Sequence, residues 1–109
     1  MKKDLRISEL NDIYGELLTS RQREILQNYY DYDLSLSEIA ENMGISRQGA
    51  RDAIVKASEQ LSFYEEVVGC ADKKQRTESC VADALDFLER RDIESAKSVL
   101  DGLLKSIQE

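Results

Sequence analysis

The stretch SRQGARDAIVKA, Ser46 to Ala57, sets Arg47, Gln48, Arg51 and Lys56 along one short segment. Those residue types suit nucleic acid. An arginine grips guanine O6 and N7 with two hydrogen bonds, a glutamine does the same for adenine, and a lysine neutralises phosphate. Each good bidentate pair discriminates by ~1–3 kcal/mol. Arg47, Gln48, Arg51 and Lys56 are therefore the candidate nucleic-acid-binding residues. Asp52 lies among them and repels phosphate. Gly49 costs about 1 kcal/mol of helix stability relative to alanine, which points to close backbone approach or to local slackness.

Other chemistries find few residues. The chain has no histidine and no Cys-x-x-Cys, so no ligand set for a structural zinc ion is present and no metal is expected. It has no G-x-x-x-x-G-K phosphate loop and no nucleophile elbow; the scattered carboxylates are those of any soluble helical protein. Neither an enzyme nor a cofactor is expected. Cys70 and Cys80 read as thiols that pack as small apolar residues.

Charge pulls against nucleic acid, since the 109 residues carry a formal net charge of -7. The excess is uneven. Met1 to Leu18 holds three basic and four acidic residues, Thr19 to Ser58 five and six, and Glu59 to Glu109 seven and twelve. The candidate segment is thus close to neutral, and the acid collects in the C-terminal half.

Positioning four side chains takes a scaffold, and the scaffold reads as all-α. There are no prolines, only five glycines, and apolar residues recur at steps of three and four. Ile7, Leu10, Ile13, Tyr14, Leu17 and Leu18 line a first helix. Thr19 and Gln22 form a T-x-x-Q capping box for a second, whose buried face is Ile25, Leu26, Tyr29 and Tyr30, before DYD at Asp31 to Asp33 interrupts it. Ser35 and Glu38 make another capping box, opening a short helix that ends at Gly44, and Ser46 caps the next. Ala40 is small where two helices cross, and Ile39, Ile45, Ala50 and Ile54 close a little core between them. That arrangement is a helix-turn-helix, with Arg47, Gln48, Arg51, Asp52 and Val55 turned outward. The tyrosines read as packing residues rather than base-stacking platforms.

The second helix of the motif meets no stop until Gly69. Along it Ala50, Ile54, Ala57, Leu61, Tyr64 and Val68 step by four and three, the 3.5-residue repeat of a helix lying on another helix. The partner is either an earlier helix of the same chain or a second copy; a homodimer is expected, with Ile54, Leu61, Tyr64 and Val68 as candidate interface residues. CADKKQRTES, Cys70 to Ser79, reads as a polar connection or a frayed turn. Val81, Leu85 and Leu88 then line one helix and Ile93, Ala96, Leu100, Leu103 and Ile107 another, with Asp92 as cap, giving a C-terminal helical hairpin. The organisation expected is a helix-turn-helix domain over 1–69 and a hairpin over 70–109, packed on the same core or on a second subunit.

LTSRQREILQNYYDYDLSLSEIAENMGISRQGARDAIVKA resembles region four of bacterial sigma factors. YGELLTSRQREILQNYYDYDLSLSEIAENMGISRQGARDAI, with the tyrosine-bearing extension LSFYEEVVG, is more closely similar to the YlxM family of small bacterial helix-turn-helix proteins. The resemblance runs from Leu5 to Gly69, and none is evident beyond. It implies a sigma-like helix-turn-helix and a regulatory or accessory role in the signal recognition particle pathway, whose genes such proteins typically neighbour. The partners expected are duplex DNA or the particle's RNA or protein. A DNA-binding transcription regulator, and a protein-interaction module whose motif touches no nucleic acid, are the alternatives. No apolar run approaches the roughly 20 residues of a bilayer span, so no membrane insertion is expected and the cytoplasm is the expected location.

Overall fold

The computed structural model describes residues 2–108 and is all-α, as the periodicity predicts. Its helices are α1 (Leu5–Tyr14), α2 (Ser20–Leu26), α3 (Leu36–Met43), α4 (Arg47–Val68), α5 (Cys70–Glu89) and α6 (Ile93–Gln108). A 3-10 turn, Gly15–Leu17, follows α1, and a π-helical turn, Gln27–Asp31, prolongs α2. The chain divides into two compact units, one reaching Ala71 and the other starting at Asp72.

Local signals start and stop the helices of the first unit. The Thr19 hydroxyl accepts from the Gln22 N–H and the Gln22 side chain accepts from the Thr19 N–H; Ser35 and Glu38 do the same. Gly44 ends α3 at φ 66°, where a Cβ would be strained, and the N–H of Ile45 returns to the Ala40 carbonyl at 3.0 Å. Gly69 ends α4 the same way at φ 69°. The 3-10 turn changes the period from 3.6 to 3 residues, which swings Leu17 out to 60% exposure, whereas the sequence pattern placed it on the buried face. The π turn lets Tyr29 stay in the core with Tyr30 edge-on at 5.1 Å, and Lys3 sits over the Tyr29 ring while pairing with Asp33.

The core of this unit is Ile7, Leu10 and Tyr14 from α1, Ile25 and Leu26 from α2, Ile39 and Ala40 from α3, and Ala50, Ile54, Ala57 and Leu61 from α4. Helix α4 is the axle, packing against α1, α2 and α3. The 3.5-residue stripe is therefore filled from within the chain. Ile54 is 2% exposed and Leu61 0%, so these two candidate interface residues have no surface to offer a second copy. Tyr64 is half-buried, its hydroxyl donating to the Leu17 carbonyl at 3.3 Å, and Val68 is exposed.

At the end of α4 one acid is buried. Glu65, 6% exposed, accepts from the Tyr14 hydroxyl at 2.7 Å and from the Ala71 N–H at 3.0 Å, with the Arg6 guanidinium 3.7 Å away. Tyr14 in turn accepts from the Cys70 N–H at 3.0 Å. Burial and the hydrogen bond to Glu65 push the Tyr14 hydroxyl pKa above its ordinary value. Two side chains of the core thus satisfy the first free N–H groups of α5. This is why residues 70–80 are helical rather than the connection the polar composition suggested, and why the division falls two residues beyond Gly69. Lysine, glutamine, arginine and glutamate are good helix formers once a first turn exists.

The second unit is a two-helix hairpin. Asp92 caps α6 by accepting from the Ser95 N–H at 3.1 Å, and the Ser95 side chain together with that N–H holds its carboxyl pKa below the usual range. Arg91 takes φ 60° in the bend. Ala84 and Ala96 are buried between the helices.

Candidate nucleic-acid interface

Helices α3 and α4 cross where Ala40 and Ala50 are buried, and Ile39 and Ile54 fill the angle between them. The turn Gly44–Ser46 fixes the start of α4, where the Ser46 hydroxyl accepts from the Gly49 N–H at 2.9 Å. A Cβ at Gly49 would lie 3.0 Å from that same hydroxyl, so the close approach there is to the helix's own cap.

Arg47, Gln48, Arg51 and Lys56 are all exposed. A surface depression is lined by Leu36, Arg47, Gln48 and Arg51, bringing three of the four candidates together beside the start of α3. Neither arginine makes an ion pair with a described residue, so both charges remain open to phosphate or base. Gln48 is engaged: its amide donates to the Asp52 carboxylate at 2.8 Å. Lys56 stands apart, sharing a second depression with Thr19, Arg21, Gln22 and Ala53. In the sequence Arg21 looks like an ordinary first-turn residue of α2, and only the fold sets it near Lys56.

At 3.6 residues per turn, Arg47 and Arg51 fall on one flank of the outer face of α4 and Lys56 on the opposite flank. Gln48, Asp52, Val55 and Glu59 lie between. A helix seated in a major groove turns its flanks to the two phosphate backbones and its middle to base edges. Asp52 therefore faces the floor of such a groove, where a carboxylate accepts from the cytosine amino group. Further along the same middle line Glu59 and Glu66 follow Asp52 at seven-residue steps, which confines any phosphate approach to the first turns of α4. No helix among the described residues is long and apolar enough to cross a membrane, and no group of three or more potential metal ligands occurs among them.

Known proteins carry the same pattern. The model of the UPF0122 family, described as helix-turn-helix proteins, YlxM / p13 like, matches residues 1–99. A UPF0122 protein of Desulforamulus reducens is 37% identical over 112 aligned residues, covering 100% of this chain and 96% of its own. One from Clostridium kluyveri is 40% identical over 101 residues, covering 93% and 91%. One from Caldanaerobacter subterraneus is 53% identical over 66 residues, 61% of this chain and 56% of its own. The likeness thus extends past Gly69, the limit of the resemblance evident in the sequence itself, into the C-terminal hairpin. With a helix-turn-helix at its centre and a family match over nearly its whole length, the chain belongs to the YlxM / p13-like UPF0122 family of helix-turn-helix proteins.

Proposed function

We propose that this protein is a regulatory or accessory factor that binds duplex nucleic acid through the first turns of α4 and acts with the signal recognition particle. The observation that carries the reading is the pair of basic flanks. Arg47 and Arg51 stand open on one side of α4, and Lys56 stands near Arg21 on the other. Arg47 and Arg51 supply base or phosphate contacts, Gln48 and Asp52 read as one hydrogen-bonded unit, and Arg21 and Lys56 hold the far backbone. A general transcription regulator is the same site with a different target.

Binding to duplex DNA and to the particle's RNA, measured against salt, tests this. Four phosphate contacts predict a log–log slope of about -3.6 on B-DNA. Arg47→Ala with Arg51→Ala flattens that slope by about two units and abolishes preference for one target. Unchanged binding in the double variant rejects the face.

One further observation favours the protein-interaction reading. A groove beside α4 has an apolar lining of Ile7, Val55 and Phe63 and a rim on which Asp4, Glu59 and Glu66 outnumber Lys2. Such a surface suits a basic amphipathic segment of a partner protein. Under that reading a partner co-purifies with the Arg47→Ala, Arg51→Ala variant and is lost with Phe63→Glu.

A further inference from the structure

The C-terminal hairpin leaves its best apolar surface uncovered. Val81, Leu85 and Leu88 of α5 and Ile93, Leu100, Leu104 and Ile107 of α6 are 41 to 69% exposed. In each helix these residues form one stripe, rotated in the same sense from the buried alanine, Ala84 or Ala96. The helices run antiparallel, with the Arg76 guanidinium donating to the Ser106 hydroxyl at 3.1 Å, so equal rotations bring both stripes onto one face of the hairpin. Seven side chains about half uncovered present on the order of several hundred Å² of apolar surface, more than a soluble monomer ordinarily leaves in one patch and of the scale of the ~800 Å² per partner of a stable interface.

We propose that this face pairs with the same face of a second copy, through a two-fold axis crossing α6 at Leu100 and α5 at Val81–Ala82, to give a four-helix bundle. The register points to self-pairing. With Arg76 level with Ser106 and equal rise along both helices, Leu100 stands level with Ala82. About Leu100 three of the four stripe residues of α6 map onto the stripe, Ile93 lying seven residues before and Ile107 seven after, while Leu104 comes level with Ala96. An antiparallel copy therefore sets Leu100 on Leu100 and Ile93 on Ile107. On α5, Lys74 and Glu89 flank the stripe at nearly equal distances from the same level, both exposed, so the two-fold places each lysine opposite the other copy's glutamate. One axis thus pairs Leu100, Ile93 and Ile107 of α6 with their copies and sets Lys74, which lies 4.0 Å from Glu78 of its own chain, against the other copy's Glu89 as well. Each assembly carries two copies of the α4 reading edge, and its nucleic-acid target then contains two half-sites related by symmetry. The pairing stands without the nucleic-acid reading, because mass is measured with no nucleic acid present.

Sedimentation equilibrium of the full chain in the micromolar range tests it, with circular dichroism on every variant. The wild-type chain sediments at twice the chain mass. Leu100→Glu sets two carboxylates on the axis and weakens association at least about tenfold with helicity retained. Lys74→Glu weakens it by about two- to fivefold, and adding Glu89→Lys restores it. Both of those residues are exposed, so the charge series decides the matter if Leu100→Glu loses helicity. A wild-type chain of monomer mass throughout, a helical Leu100→Glu that still dimerises, or a double charge reversal that fails to restore association overturns the proposal.

Discussion

The two units of this chain use leucine differently. In the first, Leu10, Leu26 and Leu61 are sealed among helices, and α4 packs against three of them. In the second, Leu85, Leu88, Leu100 and Leu104 lie exposed on two antiparallel helices, and the burial falls on Ala84 and Ala96. Two helices share one contact line, so a hairpin whose helices are each amphipathic over a wide arc buries only part of that arc. The first unit is complete as folded; the second has the composition of half a bundle.

The comparison breaks most sharply by shortening one leucine in each unit. Leu61→Ala removes a fully buried side chain and lowers the stability of the first unit by about 2–5 kcal/mol in urea denaturation. Leu104→Ala, at a concentration below any association, changes stability by about 0.5 kcal/mol or less. Equal losses would mean that the exposed face is covered in solution by the chain itself. A smaller effect is expected at the turn of the motif. Gly44→Ala forces a Cβ into the left-handed region and costs about 1–2 kcal/mol, read as a shift in the midpoint, and it weakens nucleic-acid binding by tilting α4.

The smallest effect is a pH dependence confined to the first unit. The Tyr14 pKa is raised by burial and then by its bond to Glu65, so the folded chain holds this proton more tightly than the unfolded one. That contribution to stability is fully present below about pH 10, the ordinary tyrosine value, and is lost as pH rises through the folded value. Absorbance titration of tyrosinate detects Tyr14 ionising late, and Glu65→Gln brings it back toward the ordinary range. Tyr14 ionising at or below the ordinary tyrosine value in the wild type contradicts the buried bond.

Much of this was legible in the sequence wherever the signal is local. The caps at Thr19, Ser35 and Ser46 and the stops at Gly44 and Gly69 each depend on a few neighbouring residues, and they placed α2, α3 and α4. The outward setting of Arg47, Gln48 and Arg51 follows from helical period once those ends are known. What escaped the reading depends on contacts distant in sequence. Glu65 looks like any surface acid of EEVV until Tyr14, fifty-one residues earlier, reaches it. The helix over residues 70–79 has only Cys70 and Ala71 as apolar residues, so its pattern shows no repeating face, and its first turn is supplied by that same pair. Arg21 and Lys56 approach through tertiary packing alone. The stripe from Ala50 to Val68 announced a helical neighbour correctly, but a period of 3.5 is the same whether the neighbour is an earlier helix or another chain, and burial of Ile54 and Leu61 decides for the former.

The clasp between Tyr14, Glu65 and the opening of α5 sets where the protein can be cut. Ending a shortened version at Gly69, where the glycine invites it, strips Glu65 and Tyr14 of the amide donors at Ala71 and Cys70 and leaves the buried carboxylate with the Tyr14 hydroxyl and Arg6 but one donor fewer. A fragment carried on through the first turn of α5 keeps both bonds and is the version to express for binding work with the motif alone.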